Sequence, residues 1–451
     1  MPSHIISFDL DFAENVTLER VAMVLSRYKE CEHYAYERAD TWSLGLGTHA
    51  SFMIDAKGEI ATITTGARRE EHPVGDSLAQ AARDFLSQHA QPDHKVFGQV
   101  GFNYAAHTQG MPFKPGSCPL LSLLVPRVEV LFHRDQITLT GPHDTELKEL
   151  STLIMGDAAL EPHPGSTIDT GDPAGEYVSQ VQRAQADIAG GKYTKVVPSR
   201  AVRLSTRVDM AATLLCGRQA NDPARSFSLS QGGFQATGFS PELVMSVREG
   251  IVATEPLAGT RSRLGSAAEV EKLTQELTHD PKEIMEHVMS VKEAMEELNR
   301  LCVSGTVTTD DFMSVRPRGS VQHLGSRVSG TLTADKDPWD ALGVTFPSIT
   351  ASGIPKRAAL EGIQRLENRP RELYSGAVLM LDGPDSFEAS LVLRTVFQDP
   401  HRAWIQAGAG VIAQSSPDRE LTETREKLAS IAPFVVTEAT PVGLCSCGEG
   451  E

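Results

Sequence analysis

The sequence predicts an α+β protein with large antiparallel sheets, on two observations. Alternating runs of strand length follow one another across short turn signals. The helical signals gather in separate groups, with no regular strand–helix–strand array that would build a parallel sheet. No period of roughly 20 to 50 residues repeats, which excludes a solenoid or a propeller.

In the first third, GLGTHASFMID (45–55) and GEIATITTG (58–66) alternate apolar and polar residues between turn residues. VFGQVGFNYA (96–105) and VEVLFHRDQITLTG (128–141) continue the pattern, the second with a turn near His133 to Asp135. Residues 161–175, EPHPGSTIDTGDPAG, are rich in Pro, Gly, Ser and Thr and read as a connector. A helix follows, with Tyr177, Val181, Ala184 and Ile188 on one face and Gly190-Gly191 ending it. KVVPSRAVRL (195–204) is a strand whose Pro198 cannot donate to a ladder, so an edge or bulge is expected there. FSLS, FQATGFS, LVMSV and IVATEPL between Ser226 and Thr260 read as a meander. Two helices meet at Asp280-Pro281, Asp280 serving as N-cap and Pro281 as first helical residue. A last strand, AWIQAGAGVIA (403–413), leads through Ser416 and Pro417 into a final helix to about Ile431.

The 451 residues are 40% hydrophobic and 22% charged, a globular composition. Length alone predicts about two or three domains. Asp and Glu total 59 against 42 Lys and Arg, a net charge of −17. Such a balance repels phosphate backbones, so no nucleic-acid partner is expected. An anionic small substrate would need local Lys, Arg or a metal ion. No stretch approaches the roughly 20 apolar residues of a membrane span. The start, MPSHIISFDLDF, lacks the basic and apolar regions of a secretory signal. Cys31, Cys118, Cys216 and Cys302 are too scattered for a disulfide framework or zinc site, and Cys445 and Cys447 sit in a Gly/Glu-rich end that reads as a frayed tail. A reduced, cytoplasmic protein with no membrane association is expected.

Several residue sets carry possible chemistry. On the helix from Pro281, Ile284, Val288, Val291, Met295 and Leu298 read as the buried stripe, with Glu283 and Glu286 one turn apart near the N-terminus. On the final helix Glu420, Glu423 and Lys427 share one face. Two E-x-x-E pairs can offer oxygens to one hard cation, although such pairs usually form a solvated face. Lys195, at a strand start, and Glu242, after Pro241 at a strand break, read in isolation as exposed, and His323 as structural. Gly408 and Gly410 let the backbone approach a ligand and present N–H groups to an anion, or simply mark a bulge.

Taken together and in order, KYTKVVPSR, GFSPELVMSV, TEPLAGTRSR, DPKEIMEHVMSV, SVQHLGSRVSG, FPSITASGIPK, ELYSGAV, LVLRT and IQAGAGVIAQSSPDRELTETREKL resemble the chorismate-utilising enzymes. Within them the chain is most similar to the salicylate synthases. The resemblance is dense from about Asp187 to Val436 and weaker before.

It implies one large α+β domain of two packed antiparallel sheets surrounded by helices, overriding the length prior. Residues 1–165 would be the strand-rich N-terminal part, 166–437 the chorismate-binding core and 438–451 a flexible tail. It further implies that Lys195 is the base activating water at C2 of chorismate, and Glu242 the acid protonating the departing C4 hydroxyl. Mg²⁺ is expected between the substrate carboxylate and Glu286 and Glu423, supported by Glu283 and Glu420. Tyr374, Arg394, Lys427 and the backbone of Gly408, Ala409 and Gly410 match carboxylate- and enolpyruvyl-binding positions. Gly259, Thr260, His323 and Thr350 match other pocket positions. The implied reaction is chorismate to isochorismate, then to salicylate and pyruvate, with salicylate feeding siderophore or related metabolism, in a monomer.

Two of the three rivals differ at single positions. Anthranilate synthases, which use a glutaminase partner or domain, carry Gln where Lys195 stands, so no obligatory glutaminase partner is expected. Aminodeoxychorismate synthases carry a nucleophilic Lys where this chain has Ala258. An isochorismate synthase that stops at isochorismate shares both Lys195 and Glu242.

Overall fold

Side-chain alternation on the strands sorts each into one face towards the other sheet and one face towards helices. On Ala377–Asp382, Val378 and Met380 point between the sheets, while Ala377, Leu379 and Leu381 pack against helices. The computed structural model describes residues 4–9, 14–75, 77–133, 136–156, 160, 167–383 and 386–438. Residues 134 and 135 of the expected turn, the start of the connector, and the tail with Cys445 and Cys447 lie outside the described residues.

One layer runs His4–Asp9, Gln136–Gly141, the second half of Leu121–His133, the first half of Thr41–Ile54, His33–Arg38, Arg225–Gln231, Phe234–Ser240, Thr395–Gln398, Ala403–Gly408 and Ser199–Leu204. The other runs Arg68–Pro73, Ile60–Thr65, the second half of Thr41–Ile54, the first half of Leu121–His133, Lys95–Val100, Ala377–Asp382, Ser386–Leu391, Leu243–Arg248, Ile251–Thr254 and Val321–Thr331. Leu257–Ser262 and Thr308–Arg318 both pair with Val321–Thr331. All these pairings are antiparallel. Tyr34, Tyr36, Phe97, Phe227, Phe397 and Trp404 fill the space between the layers. The helices Glu14–Arg27, Asp144–Met155 and Met210–Ala220 cover the first layer outside. Leu78–His89, Glu176–Ala189, Pro281–Leu298, Pro338–Thr345 and Lys356–Leu366 cover the second.

The α+β expectation of two packed antiparallel sheets therefore holds, with one refinement. The layers are a single hydrogen-bonded network, because Thr41–Ile54 and Leu121–His133 stay paired from one layer into the other. A register shift between Thr48 and Ala50 accompanies the passage.

Two strand readings change. Pro198 does not merely bulge its strand: it divides Lys195–Val196, which pairs with Gly353–Ile354, from Ser199–Leu204, which pairs with Ala403–Gly408. The expected meander is split, since Phe234–Ser240 belongs to one layer and Leu243–Arg248 to the other. The chain crosses between them at Pro241 and Glu242. The final helix ends at Leu428, and Ile431 is buried beyond it.

The stripe expected on Pro281–Leu298 is also corrected. Val288 is 40% exposed, while Glu283, Glu286, His287 and Ser290 are buried. The inward face of this helix near its start is polar.

Candidate active site

Asp280 accepts from the Lys282 N–H and caps the Pro281–Leu298 helix, which sets the first turn so that Glu283 and Glu286 point inwards. Pro417 at the start of Pro417–Leu428 similarly sets Glu420 and Glu423 on the buried side. The carboxylates of the two helices meet below a cavity. It is lined by Glu242, Gly259, Thr260, Glu286, His323, Thr350, Tyr374, Arg394, Gly408, Gly410, Glu423 and Lys427. Twelve of the sixteen residues singled out from the sequence therefore share one cavity wall. Lys195, Glu283, Glu420 and Ala409 stand behind it.

Glu242 sits at the crossing between layers, where the Ser240 hydroxyl donates to the Glu242 carbonyl at 2.9 Å and to the Leu391 carbonyl at 2.6 Å. Its carboxyl accepts from the Leu257 N–H at 2.8 Å and is bonded to the Thr350 hydroxyl. Burial raises its pKa to about 8, against the opposing pull of these bonds and of Lys195. Near neutrality it therefore holds a proton. Read in isolation as a solvated turn carboxylate, it is 1% exposed.

Lys195, likewise not exposed, is enclosed at 1% and reaches Glu286 at 3.0 Å and the Ser290 hydroxyl at 3.3 Å. Gly410 covers both: a Cβ there would lie 2.4 Å from Glu286 Oε1 and 3.3 Å from Lys195 Cε. Any side chain at this position would have to displace the Glu286 carboxylate.

One part of the cavity wall carries the cations Arg394 and Lys427. His323 Nδ1 lies 3.1 Å from the Gly259 carbonyl and so donates to it, leaving Nε2 to accept from Arg394 Nη2 at 2.5 Å. Burial and the neighbouring Arg394 hold the imidazole neutral, well below its usual range. Burial lowers Arg394 to about 9. Lys427 donates to the Gly408 carbonyl at 3.0 Å and pairs with Glu423 at 2.8 Å. Burial works against its charge, but Glu423, Tyr374 and Glu286 together outweigh burial and raise its pKa. Tyr374 is buried, and burial raises its phenol.

Within the QAGAG segment Gly408 and Gly410 line the cavity. Ala409 does not line the cavity; its N–H is donated to the Tyr177 hydroxyl at 3.0 Å, and its neighbour Gly408 offers a carbonyl to Lys427. Neither of these groups is an anion-binding N–H.

Around the carboxylates, Glu283 accepts from the Thr260 N–H at 3.0 Å and from Arg261 at 2.6 Å. Burial would raise Glu423, and Lys427, Lys282 and Arg419 overcome it and hold it low. Glu420 is fully buried; burial first and Glu423 second push its pKa up. Neither Glu420 oxygen has a hydrogen-bond partner among the described residues, a costly arrangement for a buried acceptor. That carboxylate, faced by the Lys282 ammonium at 3.4 Å, lies within an all-oxygen donor set on two helices that fits a hard divalent cation such as Mg²⁺. As they stand, no three His, Cys, Asp or Glu side chains among the described residues are gathered closely enough to ligate one. The ammonium of Lys282, overlooked in the sequence, lies among them instead. It is four residues before Glu286, a spacing that reads as an ordinary solvated ion pair.

Residues 31–433 match the family model of the chorismate binding enzymes. The chain belongs to this family. It is 37% identical over 442 residues to a salicylate synthase of Mycolicibacterium paratuberculosis, covering 97% of this chain and 95% of the relative. An anthranilate synthase component 1 of Methanothermobacter thermautotrophicus is 29% identical, over 86% of this chain and 84% of its own. The fold matches the anthranilate synthase component I of Streptococcus pneumoniae with a TM-score of 0.72 at 22% identity, over 88% of this chain and 92% of that one. It matches the menaquinone-specific isochorismate synthase of Escherichia coli with a TM-score of 0.71 at 21% identity, over 96% and 94%. The protein is thus a chorismate-utilising enzyme. Among the described residues no helix is long and apolar enough to cross a membrane.

Proposed function

We propose that this enzyme converts chorismate to isochorismate and then to salicylate and pyruvate, with Mg²⁺ and without ammonia. The observation that carries the proposal is the pairing of a buried Lys195 behind one wall of the cavity with a buried, protonated Glu242 on it. Conversion to isochorismate requires a base to take a proton from water at C2 and an acid to give one to the hydroxyl leaving C4. Lys195 is assigned the first role and Glu242 the second, since only a carboxyl still protonated near neutrality serves as the acid. Arg394, Tyr374 and Lys427 hold the substrate carboxylates, and His323 orients Arg394. Glu286 and Glu423, supported by Glu283 and Glu420, would hold Mg²⁺, which supplies positive charge to a substrate carboxylate. Pyruvate is then lost from isochorismate by transfer of the C2 hydrogen to the enolpyruvyl group, a step for which orientation by the same wall suffices. The similarity to a salicylate synthase along nearly the whole chain supports this second step. Salicylate would supply siderophore or related metabolism from the cytoplasm, the enzyme acting as a monomer with no glutaminase partner.

The test is product analysis of purified protein given chorismate and Mg²⁺ in ammonia-free buffer. Equimolar salicylate and pyruvate are expected. Isochorismate accumulating alone from about pH 6 to about pH 8.5 would restrict the enzyme to the first step. Undiminished turnover in EDTA would remove the metal from the assignment. Supplied isochorismate should also yield salicylate, with Lys195→Ala harming this half-reaction less than the overall one.

A further inference from the structure

The charge arrangement beneath the cavity holds a group that the mechanism above does not use. Lys282 Nζ lies 3.4 Å from Glu420, 3.6 Å from Glu283 and 3.7 Å from Glu286. These three distances are nearly equal, and none is a close pairing. The other cations here pair closely: Lys195 holds Glu286 at 3.0 Å, Arg261 holds Glu283 and Asp280 each at 2.6 Å, and Lys427 holds Glu423 at 2.8 Å. Among the described residues, Lys282 is the cation whose ion pairs within 4 Å reach these carboxylates on both helices. Burial works against its charge, but Glu286, Glu423, Glu420 and Glu283 together outweigh burial and keep the ammonium protonated. Its side chain is 19% exposed, against 1% for Lys195, so a path to solvent remains open to it.

We propose that the Lys282 ammonium is a resident counter-ion that holds the carboxylate cluster together without metal and must withdraw for a divalent cation to bind. The inference rests on the Mg²⁺ assignment made above. Two cations cannot share this position: Mg²⁺ takes its oxygens at about 2.0–2.1 Å, and an ammonium 3.4–3.7 Å from the same carboxylates would stand against it. The fully buried Glu420, with no hydrogen-bond partner among the described residues, has this ammonium as its compensating charge. Lys282 thereby sets the concentration of Mg²⁺ at which the site loads, because each binding event includes the cost of releasing the ammonium.

Calorimetric titration of the full chain with MgCl₂ alone, compared with Lys282→Met and Lys282→Arg, tests this. Removing one unit charge from a partly buried cluster should tighten Mg²⁺ binding by about tenfold or more, and Lys282→Arg should not. In EDTA the melting temperature of Lys282→Met should fall below that of the unsubstituted protein, and saturating Mg²⁺ should close the gap. Equal or weaker Mg²⁺ affinity in Lys282→Met overturns the counter-ion role while leaving the metal site intact. Absence of saturable Mg²⁺ binding to the unsubstituted protein overturns the metal assignment itself, and the counter-ion role with it. Should Lys282→Met not fold, the unsubstituted protein labelled with ¹³Cε-lysine answers the question. The Lys282 resonance, assigned by Lys282→Arg, must move on Mg²⁺ addition, and a signal that stays in place refutes the proposal.

Discussion

Glu242 shows how one residue's surroundings decide its chemistry. Its burial at the crossing between layers keeps it protonated to about pH 8, from an ordinary value of 4.5. A general acid must carry its proton, so kcat/KM should decline on the alkaline side with a midpoint near 8. A profile flat to about pH 9.5 would remove Glu242 from that role. Glu242→Gln should lower turnover by about 10²- to 10⁴-fold with the fold retained. The same shift has a stability consequence. The folded value lies above the unfolded one, so the stability linked to this proton is complete below about 4.5 and is lost as pH rises through about 8. Glu242→Gln, which cannot ionise, should therefore gain in melting temperature relative to the unsubstituted protein between pH 5 and pH 9. An unchanged difference across that range would mean the carboxyl is already ionised in the folded state. Residue types and motif order made Lys195, Glu242 and their neighbours legible in the sequence. Their burial was not, because a lysine at a strand start and a glutamate after proline look solvated until distant segments close over them.

At the scale of elements, the Pro281–Leu298 helix explains why part of the site escaped local reading. Apolar periodicity assigns Val288 to the buried stripe, yet the helix turns its glutamates inwards at this end, because there it faces the cavity and not the apolar core. Further along, Val291, Ala294 and Leu298 do pack against the sheet, so the pattern is right where the neighbours are apolar. Val288→Lys should accordingly change stability by no more than about 0.5 kcal/mol in denaturant unfolding, whereas a buried Val288 would cost several times more. Strand lengths and turns were likewise legible from alternation. The division of the meander between two layers was not, since Phe234–Ser240 pairs on its far side with Thr395–Gln398, over 150 residues away, and no local signal encodes that pairing. The turn after Ala403–Gly408 yields a sharper test. Gly410→Ala would drive a methyl group into Glu286 and against Lys195. A loss of turnover greater than about tenfold, with little change in melting temperature, is expected. Normal kinetics would show that Glu286 and Lys195 can shift without consequence.

The whole molecule carries a net charge of −17 and belongs to a family that binds chorismate, a dianion. Two fields therefore oppose each other along the approach of chorismate. At a distance the substrate meets the summed negative charge, which retards encounter and is screened by salt over about 10 Å at 0.1 M. Under the proposed assignment it meets, inside the cavity, the buried Arg394, the partly buried Lys427 and any bound metal, all less screened than the surface charges. Added salt weakens the first field more than the second. With Mg²⁺ held saturating, kcat/KM for chorismate should rise by a few fold between about 20 and about 200 mM NaCl, while kcat stays constant. A steady fall in kcat/KM over the same range would show that the cations of the site reach into solvent and steer the substrate despite the charge of the whole.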